Sequence, residues 1–197
     1  MDERAAFVLA DRTLDRVIAQ ITADQWDAPV PSDFARSDTD NVPTLREIVN
    51  YHAYDDAWIP DILAGKTIEE AGPHKFDGDL LRDDPVASFH AIVDLACAAA
   101  EQLDDLERTV HLSYGDYTAR EYLWQANSFR GLRSHDIAKA IGADTALPDD
   151  LVQVLWEEIS PNAEEWRAIG VFAAAVPVPD DAPLQERLLG LTGRNPR

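Results

Sequence analysis

Thr44-Leu45-Arg46-Glu47-Ile48-Val49-Asn50-Tyr51-His52-Ala53-Tyr54, continued by Trp58-Ile59-Pro60-Asp61-Ile62-Leu63-Ala64-Gly65, reads as one amphipathic helix carrying its own start and stop signals. Thr44 and Glu47 have the spacing of a capping box, in which the hydroxyl and the carboxylate satisfy each other's backbone N–H. Leu45, Ile48, Val49, His52, Ile59, Ile62 and Leu63 recur at helical spacing and give the inner face. Pro60 is expected to kink this helix or restart a short one, and Gly65 to end it. A second such stretch begins at Tyr117-Thr118-Ala119-Arg120-Glu121-Tyr122-Leu123-Trp124 and continues through Leu132-Arg133-Ser134-His135-Asp136-Ile137-Ala138-Lys139-Ala140-Ile141-Gly142. Thr118 and Glu121 repeat the capping box, and the helix is expected to run to Gly142.

Working outward, residues 3 to 22 form a first helix, with Phe7, Ala10, Leu14, Val17, Ile18 and Ile21 on one stripe. A loop rich in Pro, Asp and Ser runs from Asp27 to Pro43. A long crossover from Gly72 to Asp84 leads to a third helix, capped by Asp84 with Pro85 in its first position. Val86, Phe89, Ile92, Val93, Ala96 and Leu103 are its core face. Thr109 to Ser113 alternates too briefly to assign. Leu147-Pro148-Asp149-Asp150 opens a further helix with Leu151, Val154, Leu155 and Ile159 inside, and Ser160-Pro161 starts another that ends near Gly170. Val176-Pro177-Val178-Pro179 is extended, and Leu184 to Leu191 gives a last helical turn or two. The sum is an all-α chain, a single domain over residues 1–197. Its four long helices are expected to pack as a bundle with long crossover loops and extra short C-terminal helices.

Composition narrows the function classes. The 197 residues, 46% apolar and 27% charged, suit one soluble domain with a core of its own. No window approaches the roughly 18 apolar residues of a membrane span, and Met1-Asp2-Glu3-Arg4 does not read as the start of a signal peptide. A formal net charge of −20 argues against nucleic acid and anionic membranes as partners. Cys97 is the only cysteine, which excludes an intrachain disulfide and points to a reducing, cytoplasmic setting. Its neighbours Leu95, Ala96, Ala98 and Ala99 make it a buried structural thiol.

The two capped helices, taken with Phe76-Asp77-Gly78-Asp79-Leu80-Leu81, Asp83-Asp84-Pro85-Val86, Arg108 to Gly115 and Arg187 to Arg194, resemble the DinB superfamily. Within it, the chain is similar to the metal-binding proteins related to mycothiol-dependent maleylpyruvate isomerase. The resemblance covers nearly the whole chain, but not the isomerase's additional C-terminal domain. It implies a DinB-like bundle holding a divalent metal, zinc or nickel, on a His/carboxylate/His triad, which activates a thiol or water. Matching the residues of the two helices places the triad positions at Tyr51, Phe129 and Arg133. None of these three is a metal ligand of the expected type, so the resemblance implies a family member whose metal has been lost.

What replaces the metal is expected to be local chemistry. Arg133 and Asp136 are spaced to pair on one helix face, Tyr51 adds a hydroxyl, and Trp124 or Trp58 can line the same pocket. Tyr51, His52, Phe129, Arg133, Asp136 and Trp124 are therefore the candidate ligand-binding residues, with Arg133 suited to a carboxylate. His52 is the one candidate metal ligand, and otherwise a hydrogen-bonded histidine inside the bundle; His135 is expected to point away from it. His74, His90 and His111 read as loop or surface residues, Asp55-Asp56 and Asp104-Asp105 as solvated helix faces, and the tryptophans mostly as core. Three readings stay open. The first is a non-catalytic or binding paralogue for a small molecule or a low-molecular-weight thiol. The second is a zinc- or nickel-dependent thiol S-transferase or isomerase, of the mycothiol type, using His52. The third is a homodimeric interaction module.

Overall fold

The computed structural model of the chain describes residues 1–30 and 42–196, so most of the loop expected from Asp27 to Pro43 lies outside the described residues. The described chain is mostly helical. Its elements are α1 (Glu3–Ile18), α2 (Leu45–Leu63), α3 (Ile68–Ala71), α4 (Pro85–Gln102), β1 (Thr109–Leu112), β2 (Gly115–Thr118), α5 (Ala119–Ile141), α6 (Asp149–Ala168) and α7 (Leu184–Leu191). Among the described residues, no helix is long and apolar enough to cross a membrane.

Local chemistry accounts for most boundaries. Both expected capping boxes form, Thr44 with Glu47 and Thr118 with Glu121, and a third, Thr67 with Glu70, opens the short α3. Asp84 accepts from the Ala87 N–H and Pro85 occupies the first turn of α4. Gly142 ends α5 in the left-handed region at φ 73°, where a side chain would be strained. The first helix is shorter than expected. It ends at Ile18, where i→i+3 bonds from Gln20 to Val17 and from Ile21 to Ile18 tighten the last turn, and Ile21 reaches the core from outside the helix.

Two prolines behave differently from the sequence expectation. α2 passes through Pro60 unbroken, and α6 is one helix from Asp149 to Ala168 with Pro161 inside it, not two helices meeting at Ser160. Proline removes one N–H and crowds the preceding turn. In α2 only Asp61, Ile62 and Leu63 follow it, so little helix is lost. In α6 the buried Ile159 and Ala163 flank Pro161, and Asn162 Nδ2 donates to Glu158 O at 2.9 Å. Burial on both sides of the proline holds the helix together.

α1 lies between α4 and α5, α2 packs along α4, and α6 joins α5, α1 and α7. One core gathers Phe7, Leu14, Ile18, Val49, Ile59, Phe89, Val93, Leu123 and Ile137 from α1, α2, α4 and α5. A second core joins Leu132 and Ala10 to Leu151, Leu155 and Ile159 of α6 and Leu188 and Leu189 of α7. The stretch Thr109 to Ser113, too short to assign from sequence, is the first half of a hairpin. β1 and β2 pair antiparallel with Val110 opposite Tyr117 and Leu112 opposite Gly115, which carries Tyr114 and Tyr117 to the side of α5.

The extended tail is pinned to α7 at a glycine. Val176 N–H donates to Gly190 O at 2.9 Å, and a Cβ on Gly190 would lie 2.6 Å from Val176 O and 3.0 Å from Val178 Cγ1. The obstruction is backbone and cannot rotate away. Gly190→Ala is expected to cost about 1–3 kcal/mol as overpacking, read as a fall in Tm by circular dichroism. An unchanged Tm would show that the tail does not need this close approach.

Candidate functional site

α5 carries the polar chemistry of the interior. Asn127, Ser128, Arg130, Ser134 and His135 are all buried on it, where helical spacing would call for apolar residues. Arg130 is at the centre. Its Nε donates to Asp56 Oδ1 of α2 at 2.7 Å, Nη2 reaches the same oxygen, and Nε lies 3.3 Å from Asp11 Oδ1 of α1. The guanidinium carbon is 5.3 Å from the centre of the Phe7 ring, and Cys97 Sγ of α4 is 3.8 Å from Asp11 Oδ2. Side chains from α1, α2, α4 and α5 thus meet at one buried cluster.

Two carboxyls cannot both stay ionised beside one arginine in such a place. Burial pushes Asp11 well above the usual carboxylate range, and the charge of Asp56 adds to it. Burial raises Asp56 too, but Arg130 and a hydrogen bond from Asp11 restrain it. Asp11, pushed up the further of the two, is the carboxyl that favours its neutral form, and Asp56 is the one that faces the guanidinium. Burial also pushes the Cys97 thiol up, so this cysteine is an inert structural thiol, as its apolar neighbours indicated.

Next to this cluster a cleft of about 1870 Å³ opens between α2, the hairpin, α5 and α6. Aromatic rings and charged side chains both line its walls. Tyr51, His52 and Phe129 form one group, with Tyr51 and Phe129 edge to face at 6.3 Å and His52 and Phe129 at 5.0 Å between centroids. Tyr54 and Trp58 form a second at 6.1 Å, and Tyr114 and Tyr117 a third at 5.6 Å. Arg133 lies over Phe129, 5.4 Å from the ring centre. The residues at the three matched positions, Tyr51, Phe129 and Arg133, are therefore neighbours, with His52 among them and Trp124 further along the same wall.

Buried polar atoms without partners concentrate here. Both ring nitrogens of His52, Trp58 Nε1, Ser128 Oγ and His135 Nε2 have no hydrogen-bond partner among the described residues, and all four residues line the cleft. Folded proteins satisfy nearly all such groups.

Comparison with protein-family models, curated proteins and solved structures gives no match.

The site's own chemistry does not fit a divalent metal. Tyr51 is pushed above its usual range, first by the Asp55 charge and then by burial, so it is not a ready phenolate. Phe129 has no donor atom, and Arg133 brings a positive charge. His52 is held neutral, well below the usual histidine range, by burial and then by the Arg133 and Arg130 charges, which would repel a cation as well. His135 turns Nδ1 to Thr145 O at 3.2 Å. Among the described residues, no three His, Cys, Asp or Glu side chains group as a ligand set.

Several sequence expectations need correction. His52 is not hydrogen-bonded: it packs between rings with both nitrogens unpartnered among the described residues. Arg133 and Asp136 do pair on one helix face, at 3.9 Å, but Arg194, which the sequence did not point to, takes both Asp136 oxygens more closely, at 2.8 Å each. Asp55-Asp56 is not a solvated face; Asp56 is fully buried on Arg130 and Asp55 lines the cleft. Asp104 and Asp105 are exposed, as read. His74 and His90 are exposed and His111 half-buried, each beside an aspartate. Trp26 and Trp58 are buried, whereas Trp124, Trp156 and Trp166 are only partly so. Asp11 and Arg130 carried no sequence signal as a pair, since nothing local links positions so far apart on separate helices.

Proposed function

We propose that this chain is a DinB-like four-helix bundle in which the family's metal triad has been replaced, and that it binds a small organic molecule in the aromatic cleft. The observation that carries this reading is the concentration of partnerless buried donors and acceptors, on His52, Trp58, Ser128 and His135, along one ring-lined cleft. Apolar walls with a few converging polar groups are the usual make-up of a small-molecule site. Rings at Tyr51, Phe129, Trp58 and Trp124 suit a flat or apolar ligand body, and a low-molecular-weight thiol or an organic acid falls within this class. The bundle assignment is supported by the meeting of α1, α2, α4 and α5 at Arg130. The replaced triad is supported by the closeness of Tyr51, Phe129 and Arg133.

The test has two arms. Protein purified without chelator or metal-affinity resin is expected to contain well under one zinc or nickel per chain and to keep its Tm in EDTA. A panel of aromatic acids, amines and thiols is expected to include compounds that raise Tm and change tryptophan emission. Near-stoichiometric metal that disappears in His52→Ala would overturn the reading in favour of a metal-dependent thiol transferase or isomerase.

A further inference from the structure

One edge of the cleft is positive. Two guanidiniums share one carboxylate there: Arg194 donates to both Asp136 oxygens at 2.8 Å each, and Arg133 Nη1 stands 3.9 Å from Asp136 Oδ2. Lys139, one turn on from Asp136 along α5, donates to the Asn195 carbonyl, a neutral partner, at 2.9 Å. All of these residues line the cleft. Among the described residues, three cationic side chains thus stand by one carboxylate, in a chain whose net charge is −20.

Arg133 also belongs to the ring group. Its guanidinium carbon is 5.4 Å from the centre of the Phe129 ring, and that ring is 5.0 Å from His52 and 6.3 Å from Tyr51. His52 is 1% exposed, with both ring nitrogens unpartnered among the described residues. Packing on a ring uses none of a guanidinium's five N–H donors. Arg133 can therefore take an acceptor in the cleft beside the neighbours that it already has.

A carboxylate with an aromatic body matches this arrangement. The guanidinium supplies paired, charge-assisted hydrogen bonds to the two carboxylate oxygens. A neutral imidazole has one N–H donor that such an oxygen satisfies, and Tyr51 and Phe129 offer ring surface to the body. Of the other acids lining the cleft, Asp61 holds Lys66 and Lys75 at 2.7 and 2.5 Å, Glu121 is closed into its capping box with Thr118, and Glu158 and Glu165 come from α6. Among the described residues, none of them pairs with Lys139 or Arg194. Asp55, one turn along α2 from Tyr51, directs an anion to the Arg133 side of the Tyr51–Phe129 pair.

We propose that Arg133, with charge added by Lys139 and Arg194 and an N–H by His52, forms a subsite that seats the carboxylate of an aromatic acid bound in the cleft. This rests on the cleft being the binding site, as argued above.

The test compares two probes of one shape, 3-phenylpropionate and its neutral amide, 3-phenylpropionamide. Each is titrated into wild type and Arg133→Gln by calorimetry and tryptophan emission at pH 7.5. The acid is expected to bind the wild type about tenfold tighter than the amide. Arg133→Gln is expected to remove that preference, with the amide's affinity and the far-ultraviolet spectrum unchanged. The wild type alone gives a second readout: raising sodium chloride from about 20 to about 300 mM is expected to weaken the acid several-fold and to leave the amide as it was. Equal affinity for acid and amide in the wild type, a preference that salt does not reduce, or one that survives in Arg133→Gln overturns the carboxylate subsite and leaves the cleft as a binding site. Binding of neither probe overturns both.

Discussion

Arg130→Met is expected to lower the stability of the fold by about 3–5 kcal/mol at pH 7, the usual cost of leaving a buried charge without its partner. Asp56 loses two donors to one oxygen and Asp11 loses its nearest cation, with no water to replace them. The loss should depend on pH. With Arg130 gone, nothing restrains Asp56 from following Asp11 upward, so both carboxyls prefer to be protonated. The penalty is then greatest in alkali and shrinks as the pH falls. In the wild type the same linkage acts through Asp11. Its folded pKa is raised by burial, so its contribution is complete below the unfolded value and is lost as pH rises through the folded one. Replacing all three with apolar residues of similar size is expected to recover most of the Arg130→Met loss. Urea unfolding followed by circular dichroism between pH 5 and 9 checks each statement. A loss below about 1 kcal/mol that is flat with pH would mean that Arg130 is solvated and the cluster open.

The second large effect has the opposite sign. Asp55→Asn is expected to stabilise the protein by about 2–3 kcal/mol at pH 8 and to change little near pH 4. Burial pushes Asp55 up to about 6, with the Asp56 charge adding to this and Arg130 opposing it. An acid raised in the folded state binds its proton more tightly there. Its favourable contribution is therefore present below the unfolded value and disappears as the pH rises to about 6. Above that, the ionised carboxylate is a burden that the amide does not carry. The groups facing it are Asp56 and Tyr51 on its own helix, Arg130 and Tyr122 on α5, and Tyr114 on the hairpin. Of these, Arg130 is always charged, the phenols are neutral and Asp56 is paired with Arg130, so the transition near pH 6 is assigned to Asp55. Melting curves at pH 4 and 8 decide it; equal Tm for wild type and variant at both would sink the argument. A residue that costs stability while lining a cleft fits the trade between stability and binding seen at functional sites.

Much of the fold was legible in the sequence because it rests on contacts between near neighbours. Thr44 and Glu47, or Thr118 and Glu121, find each other within one turn, so the spacing alone announces the helix start. Asp84-Pro85 and Gly142 work the same way. The apolar stripes of α1 and α4 name their inner faces, and the alanine-rich surroundings of Cys97 foretell an inert thiol. The threonine and glutamate that open α3, Thr67 and Glu70, have the same spacing on a helix of four residues.

The candidate site was legible in a different degree. Tyr51, His52, Phe129 and Arg133 were singled out from the two capped helices, and the folded chain brings them side by side. Their partners were not foreseen. Arg194, near the C-terminus, joins Arg133 on Asp136 and lies closer to it, and Asp55 and Asp56, which look alike in the chain, separate into a cleft wall and a buried ion pair. The polar face of α5 misleads any reading by hydrophobic period, because Arg130 is buried only by virtue of two acids on other helices.

Helix starts, stops and apolar faces thus belong to the sequence, since they depend on residues three or four positions apart. The passage of α2 and α6 through their prolines, the meeting of Asp11 and Asp56 at Arg130, and the parting of Asp55 from Asp56 belong to the packed chain. Each depends on water being excluded and on which distant helix supplies the neighbour, and neither quantity exists until the helices meet.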